Sequence, residues 1–522
     1  MLQNNKIVNN INTNLLIVIL IAALLRVCFL STIPNGFHQD EATIGYDAYS
    51  FLKTGRNQYG EFLPLFSKAF GDYNESMSRF ITVPFIWIFG LTEFATRLPV
   101  ALIGTITVLI LYYLVKELFR ERIALYSALF FAISPWHIQF SRIAYTAILV
   151  PFFFCLALLF FLRSLRQPKY LSLSAIPFGL SIYTYNPARV FIPTFMLCLV
   201  IMFWHHLWRN RKQTLIACTI FLPIFILLFS FWISPEGMTR VRTVGGLITD
   251  PIQIMYNYIS YFSPNFLFFR GDPFPRHSPL GIGELHLIEL ITVPVGVFFL
   301  SKEESQKRNV LLIWLLLYPI PAALTAPEHA LRSIIGSPLF SIISGYGIFK
   351  IGDIFKLRKR IFTFFIIFVV TASIAWFGNC YFVDYPKYSK YNTWRYGMKE
   401  AISYAENSSD DCVIVSNQFH HMNSFILFYT RYDPLLYQQS PIDPSLSFQG
   451  EIGYSLDKYR ISPISQELVL NNRCLLIVQP NEVKDFEKNG YLFVDKKNIN
   501  NPLGTPEIFI LKIQKNSKYY VK

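Results

Sequence analysis

Charged residues are scarce in this chain, and their scarcity is the first constraint on what it can be. Asp, Glu, Lys and Arg make up 15% of the 522 residues, whereas apolar residues make up 53%. Soluble globular proteins carry roughly 25% charged residues. The composition therefore excludes a DNA-binding protein, a secreted disulfide scaffold and a disordered chain, and it is typical of a membrane protein.

Metal and redox signatures are also missing from the sequence. The seven cysteines include no CxxC pair, and the nine histidines do not combine with acids at a zinc-ligand spacing. The sequence therefore offers little support for a metal site, and we expect no cofactor to be required; a divalent cation stays an open alternative that no sequence pattern supports. There is also no internal repeat and no low-complexity tract.

Long apolar runs, in contrast, are abundant. Eleven runs have lengths close to those that cross a hydrocarbon core of roughly 30 Å. They cover residues 15–30, 98–115, 123–136, 147–162, 171–182, 190–204, 215–232, 285–300, 310–324, 334–349 and 361–377. The sequence therefore predicts a polytopic α-helical membrane protein with about eleven spans, in which the first run is a retained helix and not a cleaved signal peptide.

Basic residues are concentrated in alternate loops between these runs. The loops contain Lys116, Arg120 and Arg122; Arg163, Arg166 and Lys169; Arg209, Arg211 and Lys212; Lys302, Lys307 and Arg308; and Lys350, Lys356, Arg358, Lys359 and Arg360. By the positive-inside rule these loops are cytoplasmic. We therefore expect a multi-pass plasma-membrane protein with a cytoplasmic N-terminus and an extracytoplasmic C-terminus. The rule accounts for much of the net charge of +14 without a nucleic-acid partner.

Two loops on the opposite, outer side are long. The first, 31–97, mixes apolar and polar residues in a pattern typical of an interfacial helix. It also contains the amphipathic stretch 80–91, interrupted by Pro84 and Gly90, which we expect to lie along the membrane or dip into it. The second, 234–284, is rich in aromatic residues. The domain prediction is a membrane domain, 1–380, that includes both loops, followed by a soluble domain, 381–522.

Acidic and basic side chains meet on this outer side. Asp40 and Glu41 stand together where the first outer loop begins, and their simplest role is to stabilise the positive end of a helix. The cations of the outer loops are Arg142, Arg189, Arg276, His277, His329 and Arg332. Individually each arginine fits a snorkelling or ion-paired residue. Jointly these cations could surround a phosphate, to which arginine donates bidentate hydrogen bonds.

Several sequence blocks on this face resemble a known family. They are HQDEATIGYDAY (38–49), KTGRNQYGEFLPL (53–65), GDY (71–73), RLP (97–99), SPWHIQFSR (134–142), TYNPAR (184–189), GDPFPRHSPLGIGEL (271–285) and PIPAALTAPEHALRS (319–333). In order and position they resemble bacterial lipid-carrier-dependent glycosyltransferases of the GT-C superfamily, related to protein O-mannosyltransferases and the lipid A aminoarabinose transferase. The resemblance implies a multi-helix bundle whose first outer loop forms interfacial helices around the active site.

The resemblance also implies a reaction. It is inverting transfer of a sugar from a polyprenyl-phosphate donor to a protein, lipid or cell-surface glycan acceptor on the outer face. Asp40 would accept the acceptor's proton, and Glu41 would orient Asp40 or the acceptor. Asp72 would bind acceptor or a cation, although an Asx turn beside Gly71 explains it equally well. The outer cations would stabilise the charge that develops on the leaving phosphate.

One position departs from the family pattern. Family members often carry a lysine after the GDY-like element, where this chain has Asn74. A basic contact to the donor is therefore missing at this position, so either another arginine replaces it or the donor is bound differently.

The last 142 residues have the composition of a soluble domain. Residues 394–406 predict a helix, and CVIVS (412–416), CLLIV (474–478), YLFV (491–494) and IFILKI (508–513) predict strands of an α/β domain. If the first two strands are parallel neighbours, Cys412 and Cys474 lie close enough for a disulfide; two ordinary buried thiols are equally compatible with the sequence. The domain has no nucleotide-binding glycine loop, which favours an accessory role such as acceptor binding.

Other functions predict other patterns. A flippase or transporter of lipid-linked sugars would place charges at mid-span and often shows repeated halves. An oligosaccharyltransferase would carry a WWDYG-like block in its soluble domain. Neither pattern is present, so glycosyl transfer is the first hypothesis and a lipid-linked-sugar flippase the alternative.

Overall fold

The computed structural model describes residues 13–243, 248–279, 281–303, 305–355, 359–442, 454–464, 474–489 and 491–514. Lys356 and Arg358 of the predicted cytoplasmic loop lie outside them. The chain divides into two compact units. The helical unit comprises Met1–Cys28 and Val100–Cys380, and the mixed unit comprises Phe29–Pro99 and Tyr381–Lys522. Most of the first outer loop thus groups with the C-terminal segment, whereas the sequence assigned that loop to the membrane domain.

The described helices follow the apolar runs closely. In chain order they are α1 (Thr13–Val27), α2 (Gln39–Thr54), α3 (Met77–Phe89), α4 (Glu93–Leu118), α5 (Glu121–Ile133), α6 (Pro135–Ser141), α7 (Leu149–Ser164), α8 (Lys169–Ile182), α9 (Ala188–Met202), α10 (Trp204–Arg209), α11 (Arg211–Trp232), α12 (Pro235–Thr243), α13 (Pro251–Ser260), α14 (Glu289–Lys302), α15 (Gln306–Leu317), α16 (Ile320–Ala323), α17 (Gly336–Ile354), α18 (Lys359–Gly378), α19 (Tyr391–Trp394), α20 (Met398–Asn407), α21 (Met422–Thr430), α22 (Pro434–Gln439) and α23 (Pro480–Lys488). Short 3-10 or π-helical turns occupy Thr146–Ile148, Asn265–Phe269, Asn379–Asp384 and Tyr385–Tyr388.

Each of the eleven predicted runs falls on helix, but the span count is not confirmed. Within the described residues, four stretches are long and apolar enough to cross a membrane: Glu93–Leu118, Thr146–Ser164, Arg211–Trp232 and Arg360–Tyr388. The pair α5 and α6, bent by 56°, makes a fifth if it is one span. Others are short, such as α1 with 15 residues and α8 with 14. Eleven spans therefore stay a prediction.

The helical unit is packed through small residues. A Cβ atom added to Gly347 of α17 would lie 2.0 Å from the carbonyl oxygen of Thr292 on α14. On the facing side, a Cβ at Gly296 would lie 2.3 Å from the carbonyl oxygen of Ile343. Such close backbone approach is typical of helices that associate inside a bilayer, where burial of apolar surface drives little association. The packing therefore supports the membrane assignment independently of hydropathy.

The C-terminal part of the mixed unit is built on a six-stranded sheet. Its strands are β3 (Val413–Ser416), β4 (Tyr454–Leu456), β5 (Tyr459–Ser462), β6 (Leu475–Val478), β7 (Leu492–Asn500) and β8 (Pro506–Gln514), in the order β4-β5-β3-β6-β8-β7. The three central strands β5, β3 and β6 are parallel, and the outer pairs are antiparallel. All four residues of β3 and of β6 are buried, as their continuous apolar sequences predict.

The predicted disulfide is confirmed. Cys412 and Cys474 are bonded, with their Cα atoms 4.8 Å apart. They immediately precede β3 and β6, whose parallel register pairs Val413 with Leu475. The two ordinary thiols of the alternative interpretation are therefore excluded.

Candidate functional site

Asp40 lies in the mixed unit at the start of α2, where the local sequence builds a capped helix end. His38 is the N-cap residue: its Nδ1 accepts a hydrogen bond from the Asp40 amide, and its own amide donates to Glu41 Oε2 at 3.1 Å. This reciprocal pattern is a capping box. The Asp40 side chain is 40% exposed, with Oδ2 3.3 Å from His38 Nδ1. Asp40 therefore offers an accessible carboxylate at a fixed helix end.

Glu41 has the opposite environment from its neighbour. Its side chain is fully buried and forms a two-point ion pair with Arg97, at 2.8 Å to Nε and 3.0 Å to Nη2. Arg97 also donates to the carbonyl oxygens of Leu30, Pro34 and Gly36. The pair ties the start of α2 to the segment before it. Glu41 is thus placed to hold the helix that carries Asp40 rather than to contact substrate.

A second buried ion pair joins α2 to α3 within the first outer loop. Arg79 of α3 donates through Nε to Asp47 Oδ2 at 2.6 Å, and both side chains are buried. Asp47 also accepts from the Gln58 amide at 3.1 Å. Neither Asp47 nor Arg79 was singled out from the sequence, although Asp47 lies in the block 38–49. Two buried ion pairs therefore hold α2 in place, one through Glu41 in its first turn and one through Asp47 further along the helix.

Asp72 belongs to a short hairpin of the same loop. Strands β1 (Phe66–Ala69) and β2 (Asp72–Glu75) are antiparallel and joined by Phe70 and Gly71, which both have positive φ, 55° and 75°. Asp72 Oδ1 accepts a hydrogen bond from the adjacent Tyr73 amide at 2.8 Å. An Asx turn would instead use the amide two residues on, so this contact is not that turn, and the role of Asp72 stays a prediction. Asn74 lies on β2 opposite Ser67.

The helical unit contains a separate cluster around Asp272, a residue that the sequence analysis missed. Asp272 Oδ2 lies 2.9 Å from His277 Nδ1 and 3.6 Å from His329 Nδ1, and it accepts from the Ala330 amide at 2.8 Å. The two imidazole rings are stacked, 4.7 Å between centroids. One ligand atom from each of the three residues lies within 4.8 Å of the others, an arrangement that can hold a metal ion. The sequence offered little support for such a site, because its members are separated in the chain.

Burial controls the protonation of this cluster. It lowers the pKa of His329 to about 2, with smaller electrostatic contributions from His277, Arg332 and Arg276. Burial and the nearby Asp272 charge raise the pKa of the Glu284 carboxyl well above its ordinary value. Glu284 accepts a hydrogen bond from the Asp272 amide at 3.1 Å. His329 is therefore neutral and able to act as a ligand or hydrogen-bonding group.

The remaining predicted cations have different surroundings. Arg142 is fully buried, and its Nη1 and Nη2 donate to the carbonyl oxygens of Leu25 and Cys28 near the end of α1. Those contacts suit helix capping more than phosphate binding. Arg189 lies near the start of α9 with its guanidinium 5.8 Å from the Trp232 ring. Arg332 lines a small cavity with Tyr185 and Pro321. Of the predicted cations, the structure brings Arg276, His277, His329 and Arg332 together.

Comparison with known proteins identifies the fold. Residues 76–231 match the family model described as dolichyl-phosphate-mannose-protein mannosyltransferase. The crystal structure of ArnT from Cupriavidus metallidurans bound to undecaprenyl phosphate is similar over 96% of this chain and 97% of that one, with a TM-score of 0.59 and 11% identity. Its apo state gives the same TM-score at 12% identity, over 96% and 98% of the two chains.

A second similar structure is the archaeal oligosaccharyltransferase AglB from Archaeoglobus fulgidus, in complex with an inhibitory peptide and a dolichol-phosphate. It matches with a TM-score of 0.50 and 14% identity, over 80% of this chain and 63% of AglB. No curated protein matches the sequence. The similarity to GT-C glycosyltransferases inferred from the sequence blocks is therefore confirmed, and the chain has an ArnT-like GT-C fold.

Proposed function

We propose that this protein is an integral-membrane inverting glycosyltransferase that moves a sugar from a polyprenyl-phosphate donor to an acceptor on the outer face of the plasma membrane. The fold supports the reaction class. ArnT binds undecaprenyl phosphate and AglB binds a dolichol-phosphate, so lipid-phosphate carriers are ligands of both similar structures. The observation that carries the proposal is the exposed Asp40 carboxylate on a helix end fixed by the buried Glu41–Arg97 pair.

Asp40 acts as the base in this proposal. As the acceptor hydroxyl attacks the anomeric carbon, its proton passes to Asp40 while the bond from that carbon to the donor phosphate oxygen breaks. A carboxylate of ordinary basicity suffices if bond cleavage runs ahead of attack, because the oxocarbenium-like carbon makes the incoming hydroxyl more acidic. Glu41 positions Asp40, and Asp72 is available for the acceptor.

The departing phosphate gains roughly one negative charge, which preorganised cations stabilise. Arg276 and Arg332 are the guanidinium groups we assign to this role, together with His277 and His329 as hydrogen-bond donors. Arg142 is the weakest of the predicted phosphate ligands because its terminal nitrogens already donate to main-chain oxygens. Arg189, whose guanidinium lies 5.8 Å from the Trp232 ring, is kept as a further candidate.

The test is sugar transfer in membranes that contain the protein and a radiolabelled polyprenyl-phosphate sugar. Asp40→Asn keeps the size of the side chain but cannot accept the proton, so transfer should fall by about a hundredfold or more. The matched control is Asp384→Asn, another exposed aspartate of the mixed unit, with 45% of its side chain accessible. Transfer by Asp40→Asn within a few fold of the control would remove Asp40 as the base.

The same assay separates the proposal from a flippase. A transferase moves the label from the carrier lipid to protein, glycan or another lipid, whereas a flippase leaves the sugar bonded to its carrier. Label that remains on the carrier but becomes accessible on the other side of the membrane would favour the flippase. Partition of the product between protein precipitate, aqueous phase and organic phase identifies the acceptor class.

A further inference from the structure

Within the mixed unit, the C-terminal segment meets the start of α2 at its main chain. The Phe37 amide donates to the Trp394 carbonyl oxygen at 2.9 Å. A Cβ atom added to Gly36 would lie 2.5 Å from that same oxygen, so only glycine permits the approach. Directly after Trp394, Arg395 donates through Nε to Gln39 Oε1 at 3.0 Å. Arg395 is therefore tied to the residue that precedes Asp40.

A second part of the C-terminal segment reaches the same place. Thr43 of α2 donates through Oγ1 to Ser424 Oγ of α21 at 3.1 Å, which holds the two helices together. His421, the residue before α21, is 6% exposed, and its ring lies 4.3 Å from the ring of Phe70 in the β1–β2 turn. The start of α2, the hairpin turn and the C-terminal segment thus converge around His421.

The backbone is strained at this point of convergence. Arg395, His421 and Phe70 are not glycines, yet they have φ values of 53°, 61° and 55°. Left-handed conformations cost energy in residues with a Cβ and persist where the surrounding structure over-determines them, often at functional sites. Two of these three residues, Arg395 and His421, carry polar side chains; Arg395 is bonded to the residue before Asp40, and His421 feels the charge of Asp40.

The charges around Asp40 have different partners. Glu41 and Asp47 of α2 are paired with Arg97 and Arg79, so these four charges largely compensate one another. In the described part of the chain, no carboxylate lies within ion-pair distance of Arg395, whose guanidinium is instead 4.7 Å from the ring of Tyr391.

The C-terminal segment also brings the titratable groups His420, His421 and Tyr391 here, and His38 is the N-cap residue of α2. Burial lowers the pKa of His421 to about 3; the charge of Asp40 raises that pKa, and the charge of Arg395 lowers it. Burial and Arg395 also lower the pKa of His420. His421 is therefore a neutral imidazole that feels both charges.

We propose that Arg395 and His421, contributed by the C-terminal segment, are positioning residues for Asp40 in the transfer reaction. Arg395 supplies a positive charge at the start of α2, and it holds Gln39 in place through Nε. His421 supplies a buried, neutral, polar side chain next to the Asp40 carboxylate. The C-terminal segment is then part of the catalytic apparatus and not only an accessory domain. This inference rests on the proposed function of Asp40.

The two roles predict different signatures. A nearby cation lowers the pKa of a carboxyl group, so Arg395→Gln should raise the pKa of Asp40. The acidic limb of the kcat profile, where the base loses its proton, should then move to higher pH by about half a unit. Arg395→Lys keeps the charge and should leave the limb in place. His421→Asn tolerates the left-handed backbone and changes no charge, so it should lower kcat about tenfold without moving the limb.

The experiment measures kcat, donor KM and the pH profile in membranes with a radiolabelled polyprenyl-phosphate sugar. The matched control is Arg431→Ala, since Arg431 is an exposed arginine of the same unit with a left-handed φ of 54°. Membrane level and the Cys412–Cys474 disulfide report folding of each variant. If the Arg395→Gln protein does not accumulate in the membrane, the kcat values and pH profiles of His421→Asn and Arg395→Lys still test the inference.

The supporting result is a shifted limb for Arg395→Gln, an unshifted limb for Arg395→Lys, and a loss of kcat at unchanged donor KM for His421→Asn. Rates and profiles equal to those of Arg431→Ala would overturn the inference while leaving Asp40 intact. A third outcome is that Arg395→Gln, Arg395→Lys and His421→Asn all lose rate equally at every pH, with the acidic limb of the kcat profile unchanged. Both residues would then have only a structural role. Absence of transfer by the wild type, or full activity of Asp40→Asn, would overturn the proposed function itself.

Discussion

At the scale of single residues, two adjacent acids have opposite environments. Successive residues of an α-helix point about 100° apart, because 3.6 residues make one turn. Asp40 consequently faces accessible space while Glu41 points into the interior, where Arg97 meets it. The sequence shows two equivalent carboxylates. Only the structure distinguishes the accessible one from the one that holds the helix.

The Glu41–Arg97 pair leads to a stability prediction. Glu41→Gln removes one charge of a fully buried pair and leaves Arg97 without its counterion, which should destabilise the fold by about 3 to 5 kcal/mol. Asp40→Asn removes an accessible carboxylate and should change stability little. Thermal unfolding of both variants in detergent checks this, with loss of transfer activity recorded in parallel.

The opposite ranking would contradict these assignments. If Asp40→Asn lowered the unfolding temperature more than Glu41→Gln, Asp40 would be the structural residue of the two. A variant with both substitutions should show the stability of Glu41→Gln and the activity of Asp40→Asn.

The limits of sequence reasoning are also visible at this scale. Asp40, Asp72 and the outer cations could be named because they lie in recognisable blocks on one membrane face. Asp272, Arg395 and His421 could not, because each acquires its role from residues far away in the chain. His329 and Asp272 are 57 positions apart in sequence, yet their side chains are 3.6 Å apart. No local pattern encodes such a distance.

At the scale of secondary-structure elements, continuous apolar segments were the reliable signal. The four predicted strands of the C-terminal segment are present as β3, β6, β7 and β8. The sequence analysis missed β4 and β5, because three- and four-residue strands that mix polar and apolar residues resemble loops. The predicted helix 394–406 is present mainly as α20, since Arg395 and Gly397 both have positive φ and separate it from α19.

The disulfide gives a prediction at this scale. It closes a separation of 62 residues, for which the chain-entropy model gives a stabilisation of about 4 kcal/mol. Replacing both Cys412 and Cys474 with serine should therefore lower the resistance of the C-terminal segment to proteolysis and heat. The control is Cys218→Ser, which removes an exposed free cysteine.

Alkylation of the cysteines in denatured protein is an independent test of the disulfide. Cys412 and Cys474 should react only after reduction, whereas the free cysteines should react without it. Full labelling before reduction, together with unchanged stability of the double variant, would contradict the bond.

At the scale of the whole molecule, hydropathy predicts the positions of helices in the sequence better than it predicts the number of helices that cross the membrane. Each predicted run is helical, but in the part of the chain that the structure describes only four stretches meet the length and apolarity needed for a crossing, or five with the bent pair. Several helices are shorter than the roughly 20 residues that a span requires. The number of helices therefore differs from the number of membrane spans. Helices can tilt, break as between α5 and α6, or lie along the membrane interface.

Membrane topology is the last prediction, and it tests the orientation on which the proposed function depends. The basic loops after α4 and α17 should face the cytoplasm by the positive-inside rule, and the C-terminal segment with its disulfide should face the oxidising exterior. Reporter fusions should therefore be cytoplasmic after residue 355 and extracytoplasmic after residue 410. Protease added to intact spheroplasts should cleave the C-terminal segment. A protected segment would place Asp40, which groups with it in the mixed unit, on the cytoplasmic side, and transfer at the outer face would then be excluded.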